Sequence, residues 1–134
     1  MTDEPGYIIR IARDDIEKQL YARRSIYVGI RRDWSRGAKI LFVRKAGSDD
    51  AFIGSGIVDK IVVAGGLAEE ERKLCLENNW YGKLVFARLT RFRPAVQVKD
   101  TPAADKNPLV LHGALVSSAN FSEIEKYARA KIVS

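Results

Sequence analysis

Two strand-forming runs constrain the fold most. Lys39 to Arg44 is a compact apolar run, Phe52 to Val63 is a longer one, and the polar stretch Gly47 to Asp50 lies between them. Apolar runs joined by a Gly/Ser/Asp turn predict a β-hairpin. Asp49 and Asp50 then read as turn residues rather than as a cation site. Gly54 and Gly56 fall inside the returning strand, where glycine marks a bulge, a bend or a close approach of a backbone or a flat ligand.

The flanking sequence supplies helices and more strands. Tyr7 to Ala12 reads as a strand through Ile8, Ile9 and Ile11. Asp14 fits an N-cap with Glu17 in the capping-box position, and Ile16 and Leu20 give the helix that follows an apolar stripe ending near Arg24. Ile26 to Ile30 is a short strand, closed by Gly29 and the charged turn Arg31 to Gly37, with Trp34 inside that turn. Gly65 and Gly66 break the chain before a second helix, Leu67 to Asn79, acidic in its first turn. Lys83 to Phe92 is a strand whose far end Pro94 turns into an edge or a bulge. Asp100 to Pro108 reads as a loop and Leu109 to Val116 as a last strand. Asn120 or Ser122 caps a final helix with Phe121, Ile124, Tyr127, Ala128 and Ile132 on its apolar face. This order predicts one α+β domain over residues 1–134: mixed, mostly antiparallel strands, paired largely in sequence and curled into a sheet or small barrel, with about three peripheral helices and a tail from Met1 to Gly6.

Charge brings in composition. Lys18 to Lys45 holds nine cations, namely Lys18, Arg23, Arg24, Arg31, Arg32, Arg36, Lys39, Arg44 and Lys45, opposed only by Asp33. Lys83, Arg88, Arg91, Arg93 and Lys99 form a second run, with no acid between Asn78 and Lys99. The chain has a formal charge of +6, so it is basic without being histone-like. Tyr21, Tyr27, Trp34 and Phe42 are interleaved with the first run. Cations neutralise phosphates and aromatic faces stack on bases, which makes nucleic acid the first partner to consider. Cys75 is the single cysteine, so an intrachain disulfide is excluded, and a reducing, cytoplasmic setting is expected. The N-terminus lacks the pattern of a secretory signal, and no apolar run approaches the length of a bilayer span. The scarcity of glutamine and the slight excess of Arg over Lys lean towards a thermophilic source.

The segments "SIYVGIRRDWSRGAKILFVRK", "FIGSGIVDKIV", "WYGKLVFARLTRFRPAV" and "HGALVSSANFSEIEKYA" together resemble the PUA-like superfamily, which includes the EVE and ASCH domains. The resemblance spans roughly Tyr7 to Ala128. It implies a pseudobarrel and the binding of RNA or of modified DNA, often without catalysis. The RNA surface of PUA domains comprises the first helix, the strand after it and a late strand, which implies Arg23, Arg24 and Tyr27 with Arg91 and Arg93. The G-x-K-x-x-E-x-R signature of ASCH domains is absent, so the nuclease-like activity of those relatives is not carried over.

The leading expectation is therefore a non-catalytic nucleic-acid-binding domain. Its contacts would be Arg23, Arg24, Tyr27, Arg31, Arg32, Trp34, Arg36, Arg88, Arg91 and Arg93, with a recess formed by Gly54, Gly56, Asp59 and Trp80. Trp34 either stacks on a base or plugs one end of the barrel, and Trp80 either walls the recess or packs the second helix. Asp59 either meets a base edge or pairs with an arginine. Phe42 reads as core. Gly54-x-Gly56 is no dinucleotide fingerprint, because its third glycine position is Asp59. His112 is the only histidine, so no histidine-based metal site and no cofactor is expected. Ser117 and Ser118 read as helix-capping residues. Two alternatives remain: an enzyme on nucleotides or RNA using Asp59 or His112 as acid-base, and an interaction module whose basic face docks an acidic protein. The expected assembly is a monomer or a weak homodimer.

Overall fold

The computed structural model describes residues 6–29, 34–47, 49–101 and 112–133. Its elements run β1 (Gly6–Arg10), α1 (Asp14–Arg23), β2 (Ser25–Val28), β3 (Lys39–Ala46), β4 (Asp49–Val63), α2 (Glu69–Asn78), β5 (Gly82–Gln97), β6 (Leu115–Val116) and α3 (Ser118–Val133). The strands form one sheet in the order β2-β5-β4-β3-β1-β6. Among the described residues, only β1 and β3 pair in parallel; the other pairs are antiparallel. The fold is thus α+β, with a mixed sheet that does not close on itself.

The predicted hairpin is β3–β4, and β5 continues it as a meander. Pairing in sequence order fails for β1 and β2. Strand β1 joins the outer side of β3, while β2 crosses to the opposite edge beside β5. Residue patterns report that a segment is extended; they carry no information on which neighbour completes its hydrogen bonds.

Side chains alternate across the sheet and build one core on each face. Ile8, Leu41, Val43 and Phe52 pack with Phe121, Ile124 and Ala128 of α3. Ile9, Ile40, Phe42, Val58, Leu84 and Phe86 pack with Leu20 of α1. A strand buried on both sides reads as a continuous apolar run, as β3 does. Each fully buried side chain such as Phe42 contributes about 2 kcal/mol relative to exposure. Ile9 and Ile11 share the α1-side core with Ile26 and Val28, although β3, β4 and β5 lie between β1 and β2 in the sheet. The sheet therefore curls around α1, bringing β2 back towards β1.

Local chemistry refines several expectations. Asp14 is the first helical residue of α1 rather than its cap: Arg13 holds the cap position without a side-chain bond. The Asp14 carboxylate is drawn instead to Arg44. Ser117 does cap α3, accepting a hydrogen bond from the Asn120 amide at 3.1 Å. Asp49 and Asp50 begin β4 rather than lying in the turn; Asp50 pairs with Arg10 at 2.6 Å and Asp49 with Lys99 at 3.3 Å. Strand β5 runs on past Pro94 to Gln97. Pro94 is tolerated because the ladder skips from Phe52↔Val96 to Gly54↔Arg91, leaving it in a bulge, and because β2 reaches only as far as Val85.

Candidate functional site

Register in the meander decides which cations share a face. Lys39, Ile57 and Arg88 are partners across β3, β4 and β5, so all three project to one side. That side is the one covered by α3, where the Lys39 ammonium sits 5.8 Å from the centre of the Phe121 ring. On α3, Phe121, Glu125 and Arg129 follow at four-residue intervals and form one stripe. A cleft of about 440 Å³ opens between that stripe and the sheet, lined also by Ser55, Gly56, Ile57, Thr90, Phe92 and Ala128. This lies within the range of small-molecule sites. Ser55, 3% exposed, donates its hydroxyl to Glu125 Oε2 at 2.9 Å and fixes that carboxylate in the cleft. Among the described residues, Lys39, Arg88 and Arg129 form no ion pair. Three cations thus border one polar recess with their charges uncompensated by carboxylate contacts.

The other cations of the two runs go elsewhere. Arg91 and Arg93 lie on the opposite face of β5 from Arg88, beside α1. Arg91 pairs with Glu17 at 3.2 Å and lies 4.3 Å from the centre of the Tyr21 ring. Arg44 pairs with both Asp14 and Glu17. Burial pushes the Tyr21 phenol up to about 12, against the opposing pull of Arg91 and Arg93. Arg36 reaches Asp59 at 3.7 Å, so the aspartate pairs with an arginine. Arg24 donates to the Ala87 carbonyl at 2.7 Å from the C-cap of α1. Arg23 is exposed and adds to the positive field around Glu71. Arg31 and Arg32 lie outside the described residues.

The aromatic candidates pack against other side chains of the fold. Trp34 is 3% exposed and meets Tyr7 edge to face at 5.2 Å, so it plugs the α1-side core and presents no free face to a base. Tyr27 is likewise buried, stacked on Trp80 at 4.9 Å, with its hydroxyl donating to Glu71 at 2.9 Å. Burial, then that hydrogen bond, pushes the Tyr27 phenol up to about 12, while the Lys83 ammonium, followed by Tyr27, holds Glu71 below the usual carboxylate range. Trp80 packs against α2, as one of its two readings had it, and also walls a second, smaller cleft of about 270 Å³ between β1 and β2. There the Arg10 amide donates to His112 Nδ1 at 3.0 Å, and the Arg10 and Arg13 guanidiniums are engaged by Asp50 and Asp15.

The four expected recess residues are therefore not brought together. Gly56 lines the α3-side cleft through its backbone, Trp80 lines the other cleft, and Gly54 and Asp59 line neither. The missing side chains of the glycines also face away from the α3-side cleft. A Cβ at Gly54 would lie 2.5 Å from the Tyr21 hydroxyl, and one at Gly56 would lie 3.0 Å from both Phe86 and Leu89. These glycines make room for the α1-side core.

Ser55, Glu125 and Arg129 carry no local signal that marks them as site residues, and Lys39 stands out only as part of a charged run. The four-residue spacing on α3 was legible, but which strand it would face was not. Cys75 is fully buried and its thiol is pushed up by burial. Among the described residues, no group of His, Cys, Asp and Glu side chains is placed to hold a metal ion, and no helix is long and apolar enough to cross a membrane. The chain matches no known protein-family profile and no curated protein.

Proposed function

We propose that this chain is an RNA-binding domain without a reaction of its own, built as a PUA-like pseudobarrel, that holds a single strand at the cleft beneath α3. The carrying observation is the row Lys39–Ile57–Arg88, which sets one cation from each of the two basic runs on a common wall, with Arg129 on α3 beside it and no carboxylate paired to any of the three among the described residues. Cations held at a concave surface and left unneutralised attract phosphates, and guanidinium forks bind them in two places at once. The cleft has room for one base, ordinary or modified, beside the backbone grip. The curl that returns β2 to β1 supports the pseudobarrel reading.

The test is fluorescence anisotropy with short single-stranded RNA at increasing salt. Each phosphate neutralised contributes about −0.7 to the slope of log K against log salt, so three cations give a slope of about −2. Absence of binding at low salt, or a flat salt response, overturns the reading.

A further inference from the structure

We infer that the base taken by the α3-side cleft is guanine, read by Glu125; this rests on the RNA-binding reading above. Among the described residues, Glu125 is the one carboxylate lining the cleft, and it stands among Lys39, Arg88 and Arg129 without an ion pair to any of them. Arg129 lies one helical turn further along the same stripe, a spacing at which Glu and Arg pair readily, so the lack of a bridge there is informative. Glu125 is committed instead to Ser55, whose buried hydroxyl holds Oε2 and orients the group while Oε1 keeps its acceptor capacity. An oriented carboxylate in the wall of a cationic recess can act as a reader, because an ionised carboxylate only accepts hydrogen bonds.

That property selects one base. Guanine presents two adjacent donors, N1–H and the N2 amino group, on its Watson–Crick edge, and a carboxylate accepts both. Adenine and cytosine set a ring-nitrogen acceptor beside their amino group, and uracil flanks its single N–H with two carbonyls. Each of these turns a lone pair towards Glu125. Single-stranded RNA exposes those edges, so they are available to be read in this way. The three cations hold the flanking phosphates and carry no base preference.

The experiment uses oligouridylates of about eight nucleotides carrying one central guanosine, adenosine or cytidine, titrated against the full chain and against Glu125→Gln and Ser55→Ala. The guanosine oligomer is expected to bind about tenfold more tightly than the other two. Glu125→Gln, which replaces one acceptor with a donor, is expected to equalise the three while keeping the salt slope. Ser55→Ala is expected to reduce the preference by a smaller factor. Equal binding of all three oligomers with a normal salt slope overturns the guanine assignment and leaves the RNA-binding reading standing. A preference that survives Glu125→Gln overturns the role of the carboxylate. Binding by none of them, even at low salt, overturns both.

Discussion

On the α1 face of the sheet, Arg44 and Arg91 are locked to Asp14 and Glu17, and Arg91 also lies over Tyr21. On the α3 face, Lys39 and Arg88, drawn from the same two stretches of chain, stand at a cleft without a carboxylate partner among the described residues. Residue type and position in the sequence hardly distinguish the two sets. The difference comes from the helix laid over each face. Helix α1 is acidic in its first turn and neutralises what lies beneath it, whereas the stripe of α3 over the cleft offers one carboxylate, and Ser55 holds it. One set of cations fastens a helix to the sheet; the other borders the cleft, where the RNA-binding proposal places its ligand.

The largest effect expected is on stability, at Gly54. If the glycine serves the α1-side packing, Gly54→Ala drives a methyl group into the Thr90 carbonyl and the Tyr21 hydroxyl. A loss of about 3 kcal/mol in urea denaturation is expected, with RNA affinity of the folded fraction unchanged. Preserved stability with lost binding would reverse the assignment of the two faces.

The next test sets one face against the other directly. Lys39→Ala combined with Arg88→Ala is expected to weaken RNA binding about tenfold and to flatten the salt slope by about 0.7 for each cation removed, with stability changed by less than ~0.5 kcal/mol. Arg44→Ala should do the opposite: a cost of about 1 kcal/mol, discounted because solvent reaches the pair, and no change in affinity. Equal effects of the two on RNA binding would remove the distinction between the faces.

The smallest effect concerns the aromatic residues. Tyr27 should behave as a fold residue, with Tyr27→Phe costing about 1 kcal/mol through the lost hydrogen bond to Glu71 and leaving RNA affinity intact. Its phenol titrates near 12 in the folded chain and near 10 when unfolded, so folding favours the protonated form. That stabilisation is complete below pH ~10 and is lost as pH rises through about 12. Denaturation midpoints measured across this window should fall less steeply for Tyr27→Phe than for the parent chain. Some slope should persist, because burial raises Tyr21 to the same range.

Much of this architecture could be read from residue patterns. The hairpin and the first two helices follow from β-branched runs and the spacing of apolar residues, and glycine and proline marked where the ladder is irregular, as a bulge among other readings at Gly54 and Pro94. The site was legible only in fragments. Arg88 and Gly56 were named, but Arg91 and Arg93, on the same strand, fall on the other face. Trp34 and Tyr27, placed among cations along the chain, are buried in space. A cation and an aromatic ring close in sequence look like a binding surface whether the ring points out or in.

By itself, the sequence determined the α+β character, the extended and helical segments, and an excess of positive charge in two stretches, because these follow from local conformational preference and from composition. Only the tertiary structure decided that β1 lies beside β3 and β2 beside β5, that the cations divide between a salt-bridged face and an open cleft, and that Ser55 meets Glu125 from 70 residues away. Those outcomes depend on register across strands distant in the chain. A shift of one residue in pairing would send every side chain to the opposite face.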